Sequence, residues 1–395
     1  MDLMRFLALA SIFLLSLNSC LTAADLPCPL ALHAPKPIQV DEDRIRQHIA
    51  FLAGDKLAGR SGAGSQLAAE YLKKEFQSLE LQPLFDGDFF QPVPGSEKFG
   101  IAGGRNVGAL LPGSDPKLRE EYIIIAAHYD HLGTRGGAIF PGADDNASGT
   151  AMMLEAARVL SQSPKKLKRS VMFVGFDLEE RLLWGSRWFV AHSPVPQEQM
   201  KCLLVADMIG RSLAGLDLNT VFVMGSEHSP QLTEALDETK TPEALHLARL
   251  GIDLIGIRSD YGPFWNVEIP FLFFSSGEHP DYHKPTDTAE KIRYQQVVMV
   301  TDLVQQLTAK LADDKDIPRW TEEVKPSIEE VRAVRTIATR LLENQPKLKP
   351  LGTSQLLLLG HIKAETAKIL NRGEMTSGER TWLIRVSQLL LFSVL

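Results

Sequence analysis

The sequence is short of cysteine, with only Cys20, Cys28 and Cys202 in 395 residues and no CxxC pair or Cys/His zinc-finger spacing. That excludes a disulfide-stapled scaffold and a thiolate zinc module. A Cys28–Cys202 disulfide in an oxidising compartment and two separate thiols remain alternatives. Blocks of Lys or Arg are also missing, and the formal net charge is −7, which excludes nucleic acid as a partner. No apolar run reaches the roughly 20 residues of a membrane-spanning helix. Internal repeats and low-complexity tracts are absent. What remains, 44% hydrophobic and 23% charged residues, is the composition of an ordinary globular chain.

The N-terminus has the pattern of an export signal: a short basic segment, Met1 to Arg5, then an apolar run from Phe6 to Leu17. We read residues 1–24 as a signal peptide and the protein as exported, periplasmic or secreted, with no span in the mature chain. Two processing sites compete. Thr22-Ala23-Ala24 offers ordinary cleavage before Asp25, whereas Leu17-Asn18-Ser19-Cys20 resembles a lipobox that would place a lipid anchor on Cys20.

From residue 40 onward amphipathic helices alternate with apolar strands. Ile45, Ile49 and Leu52 recur at helical spacing behind Asp41 or Asp43, and residues 65–79 form a second such helix. Strands are predicted at 106–111, 121–127, 170–177, 202–206, 220–224 and 270–274, with helices over 146–161, 184–192, 229–239 and 289–311. Several strands (IIIAA, VMFVGF, FLFF) are apolar throughout, as strands covered on both faces are. The fold class is therefore α/β: three α/β/α layers around a mostly parallel twisted sheet, over residues 25–312. Residues 313–395, punctuated by QPKLKP, read as a helical C-terminal extension packed on the main domain or on a partner.

Five metal-type side chains sit at or just past strand ends: His128, Asp144, Glu180, Asp207 and His283. Charged groups are rarely buried unless paired or bound to a metal. Two imidazoles and three carboxylates suit two zinc-like ions sharing one carboxylate. Glu179, beside Glu180, is placed to act as a base, and the combination points to hydrolysis by metal-activated water.

In order and spacing, AHYDHLG, PGADDNASG, DLEERLLWGS, VADMIGR and HPDYHKPTDT resemble the motifs of the M28 family of co-catalytic zinc metallopeptidases, over about residues 40–312. The resemblance implies an α/β/α zinc-peptidase fold, two Zn2+ ions, peptide substrates and release of N-terminal residues. It also implies roles. Asp144 would bridge the ions; His128 and Asp207 would complete one site, Glu180 and His283 the other. Asp130 would hold the His128 ring, Glu179 would be general base, and Tyr282 would stabilise the oxyanion. His131 reads as a surface or supporting histidine. The peptide bond between Asp144 and Asp145 is cis in some relatives. Leu182 stands where the family commonly has Gly, and Tyr261 where it has His; Phe264, Trp265 and the preceding loop are the expected pocket walls. A glutaminyl cyclase, a carboxypeptidase-type enzyme using Arg211 or Arg258, and a non-catalytic binding protein are the alternatives on this fold. Nothing in the sequence sets an oligomeric state.

Overall fold

The structure is a computed structural model that describes residues 38–394, apart from residues 217 and 345–350. The signal segment, Cys20 and Cys28 lie outside the described residues. Strands run in chain order as β1 Gln82–Pro83, β2 Phe90–Val93, β3 Gly104–Leu111, β4 Tyr122–His128, β5 Thr134–Arg135, β6 Ala138–Ile139, β7 Ser170–Phe176, β8 Met200–Ala206, β9 Thr220–Met224, β10 His246–Leu250 and β11 Phe271–Ser275. Helices are α1 Glu42–Leu52, α2 Ala63–Ser78, α3 Gly149–Ser161, α4 Trp184–Ala191, α5 Pro230–Glu238, α6 Tyr261–Trp265, α7 Tyr294–Asp313, α8 Ile328–Glu343, α9 Thr353–Arg372 and α10 Ser377–Val394.

One nine-stranded sheet organises the chain, in the order β1-β3-β7-β4-β8-β11-β9-β10 with β2 also paired to β3. Its parallel part is the central block β7-β4-β8-β11. On one side β3 runs antiparallel to β7; on the other β9 runs antiparallel to β11 and carries β10 parallel to itself. β5 and β6 form a separate hairpin. The central strands are buried along nearly their whole length, as their unbroken apolar runs require.

Two cores result, one per face. α1, α2, α3, α5 and α7 cover the first, with Val297, Val300, Val304, Leu307 and Leu311 of α7 projecting from one stripe. Each such buried aliphatic contributes roughly 1.5–3 kcal/mol. α1 begins at Asp41, whose side chain accepts the backbone N–H groups of Asp43 and Arg44. The second core lies beneath the other face, and α8, α9 and α10 are part of it: Val331, Val334, Leu359, Ile362, Leu383 and Leu390 pack with Phe271, Phe273 and Ala248 of the sheet. Helices α8, α9 and α10 therefore supply part of the third layer. Without them β9, β10 and β11 would expose an apolar face. No described helix is long and apolar enough to cross a membrane.

Candidate active site

Parallel register assembles the site. β4 pairs β7 with His128 opposite Phe176, and pairs β8 on its other edge, so the segments leaving all three strands emerge side by side. His128 ends β4, Glu179 and Glu180 follow β7, and Asp207 follows β8. Open α/β sheets place ligand sites at this edge.

The turn carrying Asp144 and Asp145 is held from three directions. Buried Arg60 donates to the carbonyls of Tyr129, Leu52, Pro141, Gly142 and Asp145. The Asp287 carboxylate accepts the N–H groups of both Asp144 and Asp145 at 3.0–3.2 Å. Asn146 donates its amide to the Ala206 carbonyl at 2.9 Å and accepts the Gly149 N–H at 2.9 Å. Gly149 has to be glycine, because a Cβ there would lie 2.4 Å from the Ala206 oxygen.

This clamp corrects the expected bridging residue. Extended backbone at Asp145 (φ −105°, ψ 95°) sends the two neighbouring carboxylates opposite ways. Asp144 turns away from the strand-end histidines: its Oδ1 accepts the Gly210 N–H at 2.6 Å, and its Oδ2 lies 3.3 Å from His279 Nε2. Asp145 takes the central place, with Oδ1 3.4 Å from His128 Nε2 and Oδ2 3.1 Å from His283 Nε2. The cis peptide bond is likewise one residue later than expected, at Asp145–Asn146.

Two groups of ligand-type atoms form around Asp145. His128, Glu179 and Asp207 make one; His131, Asp145 and Glu180 make the other, with His283 Nε2 3.4 Å from Glu180. His131 is fully buried, its Nδ1 2.8 Å from Glu180 Oε1 and 3.8 Å from Asp145. The expectation of a surface position fails here, although a supporting role does not. The lone signal in the sequence was its place in HYDH, three residues past His128.

Charge in this cluster is strongly perturbed. Burial, only partly opposed by His128, lifts the Glu179 carboxyl well above the usual range, and burial lifts Asp207 too. Burial also disfavours charge on Asp145, yet His131, His128 and His283 hold it well below an ordinary aspartate. Burial works against a protonated His283, but Asp145 and Glu180 carry it up to about 10. His128 Nε2, His131 Nδ1, Glu180 Oε1 and Asp207 Oδ1 are all buried and without a hydrogen-bond partner, despite the 2.8–3.8 Å separations around them. Buried polar atoms are normally paired. Lone pairs that approach this closely without hydrogen-bond alignment converge on shared points, and four carboxylates facing three imidazoles call for positive charge there. The donor set fits divalent zinc-type ions.

The sequence pattern of peptidase family M28 matches residues 106–308, just over half of the chain. The chain belongs to peptidase family M28. It is 30% identical over 200 residues to aminopeptidase YwaD of Bacillus subtilis, across 47% of this chain and 40% of that one. It thus spans well under half the length of that relative. The LapA aminopeptidase of Legionella pneumophila has a similar fold, with a TM-score of 0.57 and 22% identity over 70% of this chain and 73% of that one. So has Porphyromonas gingivalis glutaminyl cyclase, with a TM-score of 0.55 and 20% identity over 68% and 98%.

Around the centre of this M28 chain, supporting residues fall into place. Asp130 is 3.5 Å from His128 Nδ1 and accepts the Glu179 N–H at 3.1 Å, so one carboxylate steadies both a ring and the neighbouring glutamate. Tyr282 stacks on His283 at 3.8 Å between ring centroids and lines the cavity. Tyr261 is buried instead, its hydroxyl donating to Gly256 and its ring on Phe271 and Phe273. Phe264 is no cavity wall; it packs against Phe176 and Phe189, while Leu254, Ile255 and Arg258 of the preceding loop do line the cavity. Trp265 packs toward His228 and Phe271. Arg211 pairs with Asp281 at 2.9 Å and Arg258 with Glu278 at 3.7 Å, so neither stands free for a substrate carboxylate. Leu182 keeps a left-handed backbone (φ 65°) and is exposed.

Proposed function

We propose that the protein is an exported zinc aminopeptidase that hydrolyses the first peptide bond of its substrates. The observation that carries this is the placement of Glu179 on the cavity lining, in one of two groups of ligand-type atoms that meet at Asp145, several of them buried and without hydrogen-bond partners. His128, Asp145 and Asp207 would hold one zinc ion, and Asp145, Glu180 and His283 the other, with His131 against Glu180. Bound there, the pair would supply Lewis-acid polarisation of the scissile carbonyl and acidification of the attacking water.

The chain's own groups do the rest. Glu179 takes the proton of the attacking water on its carboxylate and hands it to the departing amine; burial, which favours its protonated form, suits that transfer. Asp130 fixes the Glu179 backbone while this happens. The Tyr282 hydroxyl donates to the carbonyl oxygen as it gains charge.

The test measures zinc content and hydrolysis of aminoacyl-arylamides by wild type and Glu179→Gln. Two zinc equivalents in both proteins, with turnover about 10²–10⁴-fold lower in the variant, is the expected result. Equal turnover in the two overturns the assignment. Full zinc with no arylamide turnover in either would favour cyclisation of N-terminal glutamine.

A further inference from the structure

The cavity at the metal-ligand cluster does not end there. Beyond the cluster it continues along an apolar lining. One end is polar, bounded by Asp145, Glu179, Asp207, Tyr282 and His283, with the Arg258–Glu278 pair at its edge. From there it runs between the sheet and the C-terminal helices. Met224, Leu250 and Phe273 form the sheet wall; Val334 and Leu341 of α8 and Leu390 of α10 form the opposite one. These six are themselves buried, and the polar side chain at that end is Ser387, whose hydroxyl has no hydrogen-bond partner.

Such a passage discriminates between kinds of occupant. A peptide segment threaded into it would bury backbone N–H and C=O groups against hydrocarbon, at several kcal/mol for each group left unpaired. An alkyl chain has nothing to leave unpaired, and each methylene gains by leaving water. The passage also reaches side chains of α8 and α10, beyond the ligand cluster itself. The half of a substrate that enters must be of bounded length. In amide hydrolysis at this centre the amine half of a peptide has no such bound and has to face solvent, which leaves the acyl half for the passage.

We propose that the protein hydrolyses long-chain N-acyl amino acids and N-acyl peptides, seating the alkyl chain between the sheet and helices α8 and α10. The inference rests on the amide-hydrolase reading of the site. Water adds its oxygen to the acyl carbon, the C–N bond breaks, and the proton taken up by Glu179 goes to the nitrogen. A fatty acid and a free amine leave. The helical C-terminal region then acts as the gauge of chain length.

Two measurements on the full chain separate this from the reading beneath it. The first is displacement of a fluorescent alkyl probe by saturated fatty acids of 6 to 16 carbons. It needs no turnover, and affinity should climb by up to about fourfold per added CH2 before reaching a plateau. The second is zinc-loaded hydrolysis of N-acetyl-, N-octanoyl- and N-dodecanoyl-leucine beside leucyl-arylamide. N-dodecanoyl-leucine should exceed N-acetyl-leucine in kcat/KM by at least tenfold. Ile337→Trp, a half-buried position on the α8 wall, should collapse that ratio and shorten the plateau. Flat binding across the acid series overturns the proposal, whatever the variant does. Cleavage of the arylamide without cleavage of N-dodecanoyl-leucine also overturns it. Graded acid binding with no cleavage of any substrate would keep the alkyl seat and overturn the hydrolase reading instead.

Discussion

Two clusters of buried charge in this molecule are built on opposite terms. In the helical layer Arg380 donates two hydrogen bonds to Asp253 (2.8 and 3.0 Å) and two to Glu330 (both 2.9 Å). That network is closed: the guanidinium makes two hydrogen bonds to each carboxylate, and α10 is tied to α8 and to the segment after β10. At the strand ends, atoms equally deep stand 2.8–3.8 Å apart, and His128 Nε2, His131 Nδ1, Glu180 Oε1 and Asp207 Oδ1 have no hydrogen-bond partner. Backbone follows the same division. Leu178, Leu182, Leu183, Met208 and His283 all have positive φ around the centre, whereas no non-glycine residue described in α7 to α10 does. Charge that serves the fold is paired off within it. Charge at the candidate site is left without hydrogen bonds, on backbone that the rest of the chain must brace.

The contrast can be broken first at Asp145. Asp145→Asn should lose at least half of the bound zinc and about 10³-fold or more in arylamide turnover, while Asp144→Asn keeps its zinc; metal analysis beside kinetics decides. Equal zinc loss in both would return Asp144 to the centre. Next is Arg380→Met, which strands buried Glu330 and should cost about 3–5 kcal/mol in urea unfolding. Zinc content should not change, since the closed network holds no ligand.

His48 sharpens the comparison as a buried ionisable group that avoids charge altogether. Its Nδ1 lies 2.6 Å from the Tyr71 hydroxyl, and burial, reinforced by Arg44 and Arg158, lowers its pKa to about 4. The folded state therefore refuses a proton that the unfolded state accepts below its ordinary value near 6.5. Its contribution to stability is full above that pH and is lost as pH falls toward 4, by at most about 3 kcal/mol. Urea midpoints at pH 7 and pH 4 should fall further for wild type than for His48→Gln. The smallest effect belongs to Leu182→Gly, which should gain about 0.5–1 kcal/mol by relieving a left-handed leucine at an exposed position. Thermal denaturation reads it.

What could be read from the sequence was whatever repeats locally. Continuous apolar runs marked the central strands, and helical spacing marked α1, α2 and α7, because burial imposes those periods within each segment. β10 escaped, since HLARL mixes charge into a strand at the sheet edge, and β1 and β2 are too short to carry a pattern. At the site the motifs located every segment but not every side chain. Asp144 and Asp145 are chemically identical neighbours, and what separates them is the backbone of a turn braced by Asp287, more than a hundred residues away. His131 was undervalued for the same reason: its burial is produced by the returning loops. The apolar passage was invisible, because its two walls meet only in three dimensions.

The brace of the Asp144–Asp145 turn also fixes when this protein can come into being. Arg60 arrives early in synthesis, Asn146 midway, and Asp287 late, and the turn needs all three. A nascent chain that has not yet passed Asp287 holds its histidines and carboxylates but has no frame to gather them. The proposed alkyl seat waits longer still, for α10. Assembly of the candidate site is thus deferred until Asp287 has been made, and a chain cut before that residue lacks one arm of the brace.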